Sequence, residues 1–201
     1  MESNGVVELA RYFDGDTEKV VTVSEYQKLI LNKDKDALAK FIFERLSSRY
    51  INPFEEHGST YKQKNGFSMM ANYCLLIETL QSFKNGWGDS NRKSNKAFKQ
   101  FFTDNSDFEE LNNKGAEIYD HIRCGILHQG ETTGGWKITR IGCTLVDKEN
   151  RVIDAYLFGK KLKSNLNAYK KCLVDNEWDS KEWNNFRTKM SKIINNTLIK
   201  S

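Results

Sequence analysis

Long apolar runs, closely spaced cysteines and clustered histidines are all missing from this sequence, and each absence removes a class of protein. The longest apolar stretch, Gly66 to Leu80, is interrupted by Asn72 and Glu78. It falls short of the roughly 20 apolar residues that a bilayer-crossing helix needs, so no membrane partner is expected. Met1 to Ala10 carries acids rather than a basic segment followed by an apolar one, which is the pattern of a secretory leader. A cytoplasmic address is the expectation. Cys74, Cys124, Cys143 and Cys172 lie far apart, without the short pair spacing of a zinc site or the density of a disulfide framework. They read as reduced thiols. His57, His121 and His128 are the only histidines, so a metal centre would have to gather its ligands from distant segments; no metal or other cofactor is expected. Low-complexity tracts and internal repeats are absent as well.

What is present fits one soluble domain. A chain of 201 residues with 38% hydrophobic and 29% charged residues can bury a core without metal or disulfide help. Its net charge is +4, from 31 basic and 27 acidic residues, a mild excess that permits nucleic-acid binding without demanding it. The distribution says more. Ser90 to Thr103 holds Arg92, Lys93, Lys96 and Lys99 and no acid, and Lys160, Lys161, Lys163, Lys170 and Lys171 form a second cluster. On a helix, Arg92, Lys96 and Lys99 share one face and Ala97, Phe98, Phe101 and Phe102 supply the apolar side. Such a face is either simply solvated or an RNA-binding surface that tracks phosphates.

Hydrophobic spacing predicts a mainly α chain. Residues 1–23 read as an N-terminal arm or short strand ending in "KVVTV", and residues 24–201 as a single helical domain. Ser24 is placed to cap the first helix, and Asp34 opens a second that the sole proline, in Asn52-Pro53, stops. A polar loop with His57 and Gly58 follows. Phe67 to Phe83 is expected to be the central helix, with Met70, Cys74, Leu75, Ile77 and Leu80 in the core. Beyond the basic helix, Phe108, Leu111, Gly115, Ile118, Ile122 and Ile126 recur at three and four residues, the mark of one buried stripe on a helix from Phe108 to Leu127. After Gly134-Gly135 the period changes to two, predicting two or three short strands as a β-hairpin or meander inserted at about residues 135–156. Helical spacing then returns. The fold class is a helical bundle with a small β insertion.

The segment "IRCGILHQGETTGGW", residues 122–136, ends the striped helix. On an ideal helix Arg123 and His128 stand about 140° apart and about 7.5 Å along the axis, both off the buried stripe. Between them on the outer face are Cys124 and Leu127, where earlier turns carry Glu109, Asn113, Glu117 and Asp120. A surface that changes from acidic to apolar is one that something covers, either the chain's own hairpin or a second copy.

The string R-C-G-I-L-H, set in a late helix that follows a strongly apolar one, resembles the R-x-x-x-x-H motif of HEPN domains. These are helical bundles common in prokaryotic toxins, antiphage systems and RNA-processing enzymes. The resemblance spans roughly residues 24 to 200, and its specific part is the six-residue motif. It implies a homodimer whose two motifs face one cleft, and metal-independent cleavage of RNA to a 2′,3′-cyclic phosphate and a 5′-hydroxyl. His128 would move protons and Arg123 would hold the phosphate. It further implies a toxin-antitoxin or antiphage setting, with an antitoxin or nucleotidyltransferase as partner protein. Active members commonly carry a polar residue directly after the arginine, where this chain has Cys124. The alternative is therefore a non-catalytic HEPN-like module that binds RNA, a nucleotide or a protein partner. A purely structural role is a third reading, in which a salt-bridged Arg123 and a hydrogen-bonded His128 close a helix C-terminus that favours cations.

Three residues are candidates for accessory roles. Glu131 would orient His128 or bind substrate, or is an exposed turn residue. Cys124, four residues before His128, raises a Cys-His nucleophile reading that lacks an orienting third group. His121, seven residues before His128, lines the cleft or is a surface histidine. Asn72 and Glu78, polar residues in the most apolar helix, face the cleft or satisfy one another. Trp87, Trp136, Trp178 and Trp183 read as packing residues. The "GETTGG" segment lacks the lysine of a phosphate-binding loop and reads as a plain loop.

Overall fold

A computed structural model describes residues 7–55 and 65–197. His57 and the loop expected around it lie outside these residues. The described chain is mainly helical with two small sheets, and it packs as two compact units.

Among the described residues the first unit comprises 7–49, 82–89 and 166–197. The segment expected as an arm or strand is a hairpin of β1 (Glu8–Asp14) and β2 (Thr17–Thr22), paired antiparallel with a bulge between Glu8 and Ala10. Helix α1 (Val23–Leu31) follows directly, and its cap is Thr22 rather than Ser24. The Thr22 hydroxyl accepts from the Glu25 amide at 3.3 Å and the Glu25 carboxylate accepts from the Thr22 amide at 2.8 Å, the reciprocal pair of a capping box. Helix α2 (Lys35–Tyr50) starts where Asp34 Oδ1 accepts from the Ala37 amide. It buries Leu38, Phe41, Ile42 and Leu46. Arg45 and Arg49 both donate to the Leu9 carbonyl, tying hairpin to helix. Helix α9 (Lys181–Thr197) contributes Trp183, Phe186, Met190 and Ile194 to this core. There the Trp183 ring packs at 5.3 Å from Phe186, and its indole donates to the Leu173 carbonyl at 2.8 Å.

Among the described residues the second unit comprises 50–55, 65–81 and 90–165. Asn52–Glu55 forms the single turn α3. The apolar helix α4 (Gly66–Asn85) matches the expected central helix, with Met70, Cys74, Ile77 and Leu80 fully buried. Leu75, expected in the core, is instead 39% exposed. Its outer stripe carries Phe67, Ser68 and Leu75, all exposed, with Ala71, Asn72 and Thr79 partly so, and no charge. Helix α5 (Ser94–Asp104) buries Ala97, Phe98, Phe101 and Phe102 as its spacing predicts. These rings join Phe108 and Phe158, with Phe108 and Phe158 only 4.9 Å apart.

The striped segment is not one helix. Ser106–Leu111 is a 3-10 turn, and Asn113 at φ +63° breaks the chain before α6 (Gly115–Ile118), a π turn (Tyr119–Arg123) and α7 (Cys124–Gln129). The stripe residues are still buried up to Ile122, because a 3-10 turn and a helix can both present every third or fourth side chain to a core. The strands are β3 (Lys137–Thr139), β4 (Val146–Asp147) and β5 (Val152–Asp154). Their order is β3-β5-β4, with β3 parallel to β5, so only β4 and β5 form a hairpin and the sheet is no meander. Buried Asp154 joins it to α8 (Ala155–Asp175): its carboxylate accepts from the Leu157 amide at 2.9 Å and from the Gly142 amide at 2.7 Å. No described helix is long and apolar enough to cross a membrane.

Candidate functional site

Two glycines set the path of the motif helix. A Cβ on Gly115 would lie 2.6 Å from the Lys99 Cα and from the Phe98 carbonyl, so only glycine lets α6 approach α5 this closely. A Cβ on Gly125 would lie 2.5 Å from the Glu131 carbonyl. The chain reverses at Gly130, left-handed at φ +69°, and crosses back over α7 there. Thr133 then returns to the helix, its amide donating to the His121 carbonyl at 2.9 Å.

The π turn between these glycines carries one residue more than an α turn, and such turns often occur where a side chain must be re-aimed. Past it, Gly125 rather than Ile126 falls on the fully buried side. Arg123, the last residue of the turn, faces α4. Its Nε donates to Glu78 Oε1 at 2.8 Å, the side chains being 17% and 8% exposed. Glu78 Oε2 accepts from the Ser94 hydroxyl at 2.7 Å. The guanidinium lies over the Tyr119 ring, 5.5 Å from its centroid. Burial works to lower the Arg123 pKa, but the charge and hydrogen bond of Glu78 prevail and raise it. A hydrogen bond to the neighbouring Cys124 thiol adds a smaller push in the same direction.

His128 sits in the last turn of α7, exposed, with neither ring nitrogen bonded to a described residue. No hydrogen bond joins it to Cys124. Half-buried Cys124 lies against Tyr119 and Arg123, and this contact, followed by burial, raises the Tyr119 pKa. Fully buried Cys74 is held as a neutral thiol by its burial, which the nearby Glu78 charge reinforces. His121 is partly buried, its Nδ1 3.0 Å from the Thr133 hydroxyl. Glu131 accepts from the amide and hydroxyl of Thr132 next to it, and no hydrogen bond or ion pair joins it to His128 among the described residues.

The basic candidates separate. Lys96 and Lys99 are exposed on α5, over a shallow depression that includes Asn95, Gln100 and Thr103. Arg92 does not share their helical face, because it occupies the preceding turn at φ +58°. In the second cluster, Lys163 pairs with Glu55 at 2.6 Å and Lys161 donates to the Asp107 carbonyl at 2.6 Å. Trp136 is buried and donates to Glu117 at 3.2 Å, as a packing residue with a polar edge does. Among the described residues no group of three or more histidine, cysteine or acidic side chains is placed to hold a metal ion.

Glu78 is the residue whose role the sequence left open. It does not pair with Asn72, whose amide donates to the Ser68 carbonyl at 2.8 Å. A lone carboxylate in so apolar a helix has to find a cation when buried, and that signal was present. The identity of the cation was not. Compared with known proteins, the chain matches no family model, no curated protein sequence and no solved structure.

Proposed function

We propose that this protein is a HEPN-like, metal-independent endoribonuclease that works as a homodimer. The observation that carries this reading is the state of the motif pair. Among the described residues Arg123 is held through Nε by Glu78 and lies against the Cys124 thiol, and five residues further His128 presents an exposed imidazole with neither ring nitrogen bonded. A guanidinium held in place by a carboxylate is pre-oriented to present its remaining donors to a phosphate oxygen. An imidazole titrates near neutrality, so it can take a proton from a ribose 2′-hydroxyl or give one to the departing 5′-oxygen. With both oxygens in one bond cleavage, two copies of His128 divide the work of base and acid.

The second copy has a surface to meet. Leu127, one turn after Arg123, is 42% exposed, and exposed Leu75 lies one turn before Glu78. With exposed Phe67 on the same stripe of α4 as Leu75, these are exposed apolar side chains of the kind that association covers. Lys96 and Lys99 offer the nearby backbone contacts that an RNA strand needs. A toxin or antiphage setting, with an antitoxin or nucleotidyltransferase partner, belongs to the same proposal.

One observation favours a second reading, a non-catalytic module that binds RNA, a nucleotide or a protein. Glu78 already neutralises Arg123, and Cys124 packs where active relatives of this motif type carry a polar group. Light scattering of the purified chain, together with cleavage of total RNA in excess EDTA, separates the two. A dimer that cleaves supports the enzyme; a chain that binds RNA and leaves it intact supports the module.

A further inference from the structure

Away from the motif, the second unit contains a small recess lined by α3, the first half of α4 and the start of α8. Its volume is about 150 Å³, comparable to a cavity that holds one benzene-sized ring. Ile51 and Met69 form an apolar floor, and Phe54, Tyr73 and Tyr156 supply aromatic walls. Tyr73 stacks on Phe158 at 6.1 Å and meets the edge of Phe54 at 6.1 Å, so its ring is fixed from two sides.

Three polar features converge on the recess. Tyr73 is only 2% exposed, yet its hydroxyl makes no hydrogen bond to a described residue. The oxygen itself is not sealed in, so it is available at the recess. This hydroxyl lies against the α8 backbone at Gly159, where a Cβ would collide with the oxygen. Glycine inside a long helix is disfavoured, and here its presence lets the phenol extend into the recess. At the mouth, the Lys160 ammonium lies over the Tyr156 ring, 4.4 Å from its centroid, with no acidic partner among the described residues. Beside it, Glu55 is bound through Oε2 to Lys163 at 2.6 Å, leaving Oε1 to accept from a ligand.

We propose that this recess binds a small planar heteroaromatic ring bearing an anionic group. The ring would lie against Phe54 and Tyr156, its polar edge would meet the Tyr73 hydroxyl and Glu55, and the anion would meet Lys160. Aromatic walls favour a flat ring through edge and face contacts, and a lone ammonium at the rim selects negative charge. This chemistry is shared by nucleoside monophosphates and by free heteroaromatic carboxylates. It is independent of the ribonuclease reading, since none of these residues belongs to the motif.

Calorimetric titration of the full chain with adenosine 5′-monophosphate, and separately with indole-3-carboxylate, tests it. One-to-one saturable binding of either is expected, weakened about tenfold by Lys160→Gln and at least about fivefold by Tyr73→Phe, the worth of one charge-assisted or one neutral hydrogen bond. Gly159→Ala should abolish binding by displacing the phenol. Binding of only one probe names the source. Because Lys160 is exposed and Tyr73→Phe removes a single oxygen, both variants are expected to keep the wild-type circular dichroism. If neither probe binds, if inorganic phosphate binds as well as they do, or if both folded variants bind as wild type, the proposal is overturned.

Discussion

Arg123 Nε and Glu78 Oε1 stand 2.8 Å apart, and this contact joins the π turn of the motif segment to the most apolar helix of the chain. The ion pair is mostly buried, which makes it a costly one to break from one side. Removing one partner of such a pair leaves an uncompensated charge where water has little access.

Glu78→Ala is therefore expected to lower unfolding stability by about 3 kcal/mol, whereas Glu78→Leu with Arg123→Met should recover most of that loss. Urea denaturation of the two variants checks this. Equal losses in both would mean that the pair is held by packing and not by charge.

Gly125→Ala places a methyl group against the Glu131 carbonyl, a backbone atom that cannot swing aside. Alanine normally favours a helix over glycine by up to about 1 kcal/mol. The clash should reverse that sign and cost about 1–3 kcal/mol. A stability gain on substitution would show that residues 131–133 do not cross α7 as described.

Acid should weaken the same region through Glu117. The Lys114 ammonium, bonded at 2.6 Å, holds this carboxyl below its ordinary value of 4.5, with a smaller part from the Trp136 indole. A depressed folded pKa contributes stability that is present above the unfolded value and is lost as pH falls through the folded one. Glu117→Gln is expected to cost about 0.5 kcal/mol near pH 7, a modest figure because the pair is partly exposed. The difference from wild type should vanish in the acid range. Denaturation at a series of pH values reads it directly, and a difference that grows on acidification would reverse the assignment.

Under the homodimer reading, Leu127→Glu puts a charge on an exposed apolar position of α7, four residues after Arg123. It should convert a dimer to a monomer in light scattering while leaving the circular dichroism unchanged, since Leu127 contributes little to the core. A wild-type monomer, or a variant that remains dimeric, would remove that face from the interface.

Much of this architecture was legible beforehand. The central helix, the basic helix and the stripe from Phe108 to Ile122 all follow from apolar spacing, because burial of one face is what spacing encodes. The breaks were less visible. A 3-10 turn, an α turn and a π turn all tolerate the same spacing, so the run from Phe108 to Leu127 read as one helix until Asn113 and the turn at Tyr119 were placed. Leu75 read as core because hydrophobicity alone does not reveal which leucine of an apolar helix faces outward. The β3-β5-β4 order was hidden for a different reason: strand pairing is a long-range choice, and β3 and β5 are separated by the β4 segment. Arg92 shared a face with Lys96 and Lys99 only on the assumption that the helix began early enough to include it. In the motif, the order of Arg123 and His128 was plain from the sequence, whereas the Glu78 and Ser94 support came from distant segments.

The central claim is that Arg123 and His128 cleave RNA without a metal ion. The direct measurement incubates purified protein with RNA in excess EDTA, compares wild type with Arg123→Ala and His128→Ala, and determines the product ends. Cleavage to 2′,3′-cyclic phosphate and 5′-hydroxyl termini, reduced at least about a hundredfold in both variants, is the expected result. Intact RNA with wild-type protein, or cleavage that persists unchanged in His128→Ala, would contradict it.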